Sequence, residues 1–404
     1  HAQRAIRETY RLREFRWRFL PLLFVLTAYI LEKSLSSSPL AAVLSPIAIV
    51  VLCSTAGWCL IRRGAGNVGT LWVALPFVFV VLLSLVYTKW SSGAELKLVL
   101  FFLSAVPVVI STAILIQDRE DRESFLVVWV LAGMIAALVT VLHVLQFGPV
   151  NDRFAVGDET LGVAYLVGAA VVILITSTST GRISWKWSVP LILALAWIMV
   201  AVASRGPILA ALAAVSTALF VARGRAVLGG MLLVSVAFGM GFQLATVSGL
   251  QRLLDLSDQA RAQLRDASLS VWYSSPIFGQ GFGSLTSDRL GIGYPHNIFL
   301  EALAELGLVG LVALGFLLIA VASRAFRGRA TAVGVPALAL SIFWLFGLQF
   351  SMNMSNRLFW LGVLAPLLVF AGVSMGDQEK RASRFRERHT PRPRPAQARL
   401  RANP

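Results

Sequence analysis

Charge is scarce in this sequence. Asp, Glu, Lys and Arg make up 14% of its 404 residues against 57% hydrophobic residues, and mean hydropathy is +0.75. That balance is too apolar for a soluble globular chain and predicts an integral membrane protein that crosses the bilayer repeatedly. Acids are scarcer than bases, 20 against 36, for a formal net charge of +16. Nucleic-acid binding is excluded all the same, because no soluble basic domain is left to carry that charge. Cysteine is nearly absent. Cys53 and Cys59 lie six apart in one apolar stretch, beyond bridging distance on a helix, so a disulfide scaffold is excluded. The four histidines, His1, His143, His296 and His389, show no metal-ligand spacing, and two cysteines cannot complete a zinc site. No Gly-x-x-x-x-Gly-Lys-Ser/Thr loop and no Gly-x-Ser-x-Gly elbow occurs, and Gly279 to Gly283 follows no strand. Nucleotide use and a nucleophilic serine are therefore not expected, and no cofactor or metal is implied. The sequence opens His1-Ala2-Gln3, without Met, and no cleavable signal is expected ahead of the first apolar segment.

What the chain does have is a succession of apolar runs. Runs able to cross a bilayer, some with tilt or interfacial ends, fall at about 19–31, 40–60, 70–87, 96–116, 125–146, 161–180, 187–203, 207–221, 227–246, 297–320, 332–350 and 358–374. The prediction is an all-α protein with about 12 transmembrane helices, 187–203 and 207–221 forming a tight pair. Charge tests that drawing independently. The segments 1–18, 61–69, 117–124, 181–186, 222–226, 323–331 and 376–404 are alternate loops and both termini, and they hold 26 of the 36 basic residues. They are expected in the cytoplasm. The other ten, Lys33, Lys89, Lys97, Arg153, Arg205, Arg252, Arg261, Arg265, Arg289 and Arg357, lie in or beside the opposite loops.

The domain organisation follows. Residues 1–18 form a basic cytoplasmic segment, 19–246 hold nine crossings, 247–296 form a long outer loop, 297–375 hold three more crossings, and 376–404 form a disordered basic tail near anionic lipid headgroups. The long loop contains a helical-looking run through Tyr273 and then the turn-rich stretch Ser275 to Gly283. Its apolar content predicts a partly helical cap on the membrane surface rather than disorder.

Chemistry concentrates on the outer face. Tyr294-Pro295-His296-Asn297 leads into an apolar helix in which Asn297, Glu301 and Glu305 recur every four residues. Pro295 suits a helix start, so His296 falls in or just before the first turn. The unpaired N–H groups there disfavour an imidazolium and favour a neutral ring able to accept a proton, although a helix-capping role would account for the same position. Carboxylates avoid lipid, so the stripe is expected to face the protein interior. Arg205 sits in Ser204-Arg205-Gly206-Pro207 between two crossings, Arg265 in the long loop, Lys89 after Tyr87-Thr88 and Arg153 in Asn151-Asp152-Arg153-Phe154. Each of the four cations also has an ordinary reading, as a headgroup contact or a solvated helix face. Together with His296 they form a set suited to a polyanion at the outer leaflet.

Ser204-Arg205-Gly206, Arg265 with Trp272 and Ser275 to Gly283, and Pro295-His296-Asn297 followed by Glu301, Glu305 and Gly307 resemble the O-antigen ligase and polymerase superfamily. The resemblance is specific over about Ala203 to Gly310. It implies a type C-like membrane glycosyltransferase in the bacterial inner membrane, with both termini cytoplasmic and the active site periplasmic. Such an enzyme moves a polysaccharide from an undecaprenyl-diphosphate-linked O-antigen donor to a sugar hydroxyl of the lipid A-core acceptor, with inversion and without a metal. Membrane lipids are its other partners, and neither nucleotide nor nucleic acid takes part. His296, Arg205 and Arg265 would be catalytic, and Lys89, Arg153, Arg205, Arg265, Asn297 and Glu301 would bind substrate. O-antigen polymerase and protein O-oligosaccharyltransferase share the donor chemistry, and a lipid-linked glycan transporter is a further alternative.

Overall fold

A computed structural model of the chain describes residues 16–35, 41–149, 154–156, 161–202, 204–223, 259–286, 295–329, 331, 333–347 and 353–370. Among them the architecture is all-helical. In chain order the elements are α1 (Leu20–Ser34), α2 (Ala41–Arg63), α3 (Val68–Ser84), α4 (Ser92–Leu115), α5 (Arg119–Phe147), α6 (Leu161–Ser179), α7 (Trp185–Ala201), α8 (Arg205–Arg223), α9 (Gln259–Ser274), α10 (Ile298–Gly328), α11 (Gly334–Gly347), α12 (Arg357–Val363) and α13 (Ala365–Phe370). Five described helices are long and apolar enough to cross a membrane: Val43–Arg63, Ser92–Leu115, Arg119–Phe147, Leu161–Ser179 and Ile298–Gly328. α3, α7, α8 and α11 are shorter apolar helices. The run at 227–246 and the tail at 376–404 lie outside the described residues.

α6 is the central helix, and every residue from Gly162 to Leu174 is buried. Small residues let its neighbours approach closely, as the packing of apolar helices in lipid requires. A Cβ on Gly168 would meet the Phe343 ring at 2.7 Å, and one on Gly133 of α5 would meet Ala170 at 2.5 Å. The Tyr165 ring stacks on Trp344 at 5.3 Å, and Trp129 adds a tilted contact to Trp344 at 5.6 Å. α8 packs mainly on α6 and α11 and touches α7 little, so the tight pair expected from their short connection is adjacent in sequence more than in contact. Outward-facing Phe79, Leu103, Leu138, Leu193, Val312 and Ile319 are exposed in mid-helix, the surface that a hydrocarbon solvent accepts.

Ion pairs gather several loops at one end of the bundle. Arg16 lies 2.8 Å from Asp118 and 3.1 Å from Asp121 and also pairs with Glu120, while Arg18 pairs with Asp121. Arg63 is 3.1 Å from Asp118, and Arg182 is 3.6 Å from Glu123. Asp118 caps α5 and exchanges hydrogen bonds with Asp121, which satisfies the helix's first N–H groups. Asn67 Nδ2 donates to Leu368 O at 2.8 Å, which brings α13 to the same end. Residues of four segments that charge counting assigns to one side, 1–18, 61–69, 117–124 and 181–186, therefore meet at one end.

α10 departs from the expectation of one continuous crossing. Gly307 has φ +67° and breaks the helix into 298–306 and 308–328. The break is filled by the loop after α9: Gln280 N donates to Ala304 O (3.1 Å) and Gly281 N to Glu305 O (2.8 Å), while Leu308 N and Val309 N donate to Pro276 O (3.0 Å) and Ile277 O (3.2 Å). Backbone groups freed by the break are thus paired, as an apolar setting demands. Only glycine permits the approach at two points, where a Cβ on Gly307 would sit 2.2 Å from Ile277 O and one on Gly279 2.4 Å from Glu305 O.

Candidate functional site at the start of the broken helix

The helix bearing the candidate base begins at Ile298, with Asn297 rather than Pro295 at its boundary. Asn297 Oδ1 accepts from the amides of Phe299 (3.0 Å) and Leu300 (3.1 Å), the arrangement of a side-chain N-cap. His296 precedes the cap and adopts φ +54°, the one non-glycine residue with positive φ among the described residues. Such backbone costs energy and persists where the surroundings hold it. Pro295 is buried beside it, and His296 is half-buried.

One and two turns further on, Glu301 and Glu305 are fully buried, as the inward-facing stripe predicts. Their counter-charge is Lys97 of α4, whose Nζ lies 2.5 Å from Glu301 Oε1 and 2.6 Å from Glu305 Oε2. Glu301 also accepts from Met354 N at 3.0 Å, and Glu305 Oε1 accepts from Leu285 N at 3.4 Å. The Phe282 ring lies 4.9 Å from the ammonium. Both carboxylate oxygens of Glu301 are engaged inside the protein, by Lys97 Nζ and the Met354 amide.

Lys97 is the residue that sequence reasoning left out. Its position beside a loop puts it among the ten cations outside the basic segments. A cap changes that reading. Ser91 accepts from Ala94 N, so the helix starts at Ser92 and carries Lys97 into its second turn, below the surface. A Ser at the N-cap with Glu95 in the first turn is a legible start signal, and two carboxylates on an apolar helix call for a buried cation.

Of the remaining candidates, Lys89 and the Arg265 side chain are among the described residues. Lys89 is exposed at a rim stitched to the glycine turn: Tyr87 Oη donates to Phe278 O at 2.7 Å, and Phe282 N donates to Ser84 Oγ at 3.2 Å. An open groove of about 520 Å³ runs between Leu83, Val86, Tyr87 and Phe278. Arg265 lies on α9, which docks on α10 through Val271, Leu285 and Ala304. Its Nε lies 3.1 Å from Asp266, but both side chains are exposed, and such a pair is worth only about 0–1 kcal/mol. Arg265 can therefore exchange Asp266 for a stronger anion. Arg205 is the first residue of α8 and Pro207 its third, not its first, a position still within the turn that needs no N–H donor; the Arg205 side chain lies outside the described residues. Arg153 also lies outside them, although its neighbour Phe154 donates to Ala201 O at 3.1 Å, next to the turn that leads to Arg205.

A family model described as O-Antigen ligase matches residues 189–315. This stretch is similar to the O-antigen ligase family. It takes in α7, α8, α9, the glycine turn, His296 and the broken part of α10, so the strained histidine and the filled helix break both belong to it. Lys89, Lys97 and Arg153 lie outside the matched stretch, and Lys97 reaches into it through Glu301 and Glu305. None of the curated proteins compared matches the chain.

Proposed function

We propose that the protein is an O-antigen ligase of the bacterial inner membrane, transferring polysaccharide from undecaprenyl diphosphate to a sugar hydroxyl of lipid A-core at the periplasmic face. The observation that carries this reading is His296, held in a strained backbone conformation next to a helix cap within the stretch similar to the O-antigen ligase family. About 12 crossings with both termini cytoplasmic complete the picture.

In this mechanism His296 takes the proton of the acceptor hydroxyl as its oxygen attacks the anomeric carbon. The new C–O bond forms while the bond to the diphosphate breaks on the opposite face, so the anomeric centre inverts. Undecaprenyl diphosphate leaves with the bonding electron pair. Arg205 and Arg265 hold the diphosphate and stabilise its growing charge, which lets fixed cations do the work of a divalent metal. Lys89 and Arg153 are auxiliary contacts to diphosphate or headgroup, and the groove beside Lys89 offers the polyprenyl tail an apolar surface. Asn297 and Glu301 serve the site by fixing the helix start. Bringing both lipid substrates to one face supplies proximity.

The deciding experiment incubates the purified protein with lipid-linked polysaccharide and lipid A-core and resolves the products by gel. Polysaccharide-bearing lipid A-core is expected. Longer lipid-linked chains without conjugated core would make it a polymerase, and glycosylated protein in a mixed-acceptor assay would make it a protein O-oligosaccharyltransferase.

A further inference from the structure

We propose that Lys97 is a positioning residue for the His296 site: through Glu301 and Glu305 it locks the first turns of α10 against the glycine turn and the segment 353–356. This rests on the reading of the α10 start as the reaction centre.

Four separate parts of the chain meet around the Lys97, Glu301 and Glu305 triad. Lys97 comes from α4; Glu301 and Glu305 from α10; Phe282 and Leu285 from the loop after α9; and Met354 from the segment ahead of α12. Immediately beyond Lys97 the helix passes through a π-turn at Leu100–Ala105, where Phe101 packs against Phe282 at 5.3 Å. Such turns re-aim side chains and recur at functional sites. Lys97, Glu301 and Glu305 are all buried, so water offers these charges no alternative partner and the geometry is set by the triad itself.

The link to His296 is short. Glu301 N donates to Asn297 O at 2.9 Å, closing the first turn, while the Glu301 side chain is tied to Lys97 and Met354. Asn297 in turn caps that turn directly after His296. A left-handed histidine needs the chain on its far side to be fixed, and this anchor fixes it. Apolar side chains of equal volume can match a buried ion cluster for stability, whereas charged partners fix which atoms face each other. The triad therefore serves geometry beyond what stability alone requires.

The test uses the full chain in nanodiscs. Removing Lys97 alone strands two carboxylates, so the informative variant is K97M/E301Q/E305Q, which removes all three charges at nearly constant volume. Its melting temperature is expected to stay within about 5 °C of wild type, the range of a small stability change. Its kcat for transfer to lipid A-core is expected to fall about ten- to a hundredfold, with the donor KM changed less than about threefold, as for misplacement of a reacting group. Hydrogen exchange at the amides of 299–301 should speed up, a readout that holds whatever the reaction proves to be. Should the triple variant fail to fold, Lys97→Arg supplies the answer, because it keeps the charge and shifts the donor atoms. A folded variant with wild-type kcat and unchanged exchange overturns the proposal. Loss of protection at 299–301 without any transfer by wild type would instead retain the positioning role and reject the ligase reading.

Discussion

Lys97 Nζ and Glu301 Oε1 stand 2.5 Å apart across 204 positions of sequence, both buried. Taking these ions out of solvent is costly, and the cost is offset only because Glu305, Met354 N and the Phe282 ring complete the coordination.

The single substitution Lys97→Met should therefore destabilise the protein by about 3–5 kcal/mol, the usual penalty for stranding one side of a buried ion pair. Thermal melting in detergent checks this. An unchanged melting temperature would mean that the carboxylates find another partner.

His296→Asn isolates chemistry from backbone strain. Asparagine tolerates the left-handed conformation, so folding should be retained, whereas the loss of an imidazole base should cut transfer by at least about a hundredfold. His296→Ala should lose the same activity and an additional 1–2 kcal/mol or so of stability, because alanine resists that backbone. Wild-type transfer by His296→Asn would remove the general base from the mechanism.

Arg205→Ala and Arg265→Ala should each reduce turnover strongly with little change in melting. Lysine at either position should restore only part of it, since an ammonium lacks the planar fork that grips diphosphate oxygens in pairs. Steady-state rates with the four variants decide the point, and full activity with Lys at both positions would argue against a bidentate grip.

Gly307→Ala should prevent correct docking of the loop after α9, because a Cβ there meets Ile277 O at 2.2 Å with φ at +67°. Gly57→Ala is the control, with nothing within 4 Å of its added carbon. Size-exclusion profiles and melting curves should separate the two sharply. Equal behaviour would show that α10 can close its break.

On the proposed mechanism transfer should continue in the presence of a chelator, because arginines would neutralise the leaving diphosphate in place of a divalent ion. Activity lost to chelation and restored by a divalent cation would overturn that assignment.

Much of this was legible in the sequence because it is local. Hydropathy places α2, α4, α5, α6 and α10 close to their positions, and the run through Tyr273 is helical as predicted. Counting basic residues groups loops that the Arg16, Arg63 and Arg182 ion pairs do bring to one end. The four-residue spacing of Asn297, Glu301 and Glu305 announces one inward face, since a carboxylate in hydrocarbon has nowhere else to go.

The sequence by itself thus determined the class of molecule, the grouping of four basic segments that meet at one end, and the motif that joins histidine, cap and buried acids. Three things only the tertiary structure decided: that Lys97 is the partner of those acids, that α10 breaks at Gly307 to accept the glycine turn, and that His296 sits in a left-handed conformation. Solvent preference is a property of each short segment, so it is written along the chain. A counter-charge, a carbonyl in a helix gap and a strained φ depend on atoms contributed from distant positions, and only folding brings those atoms together.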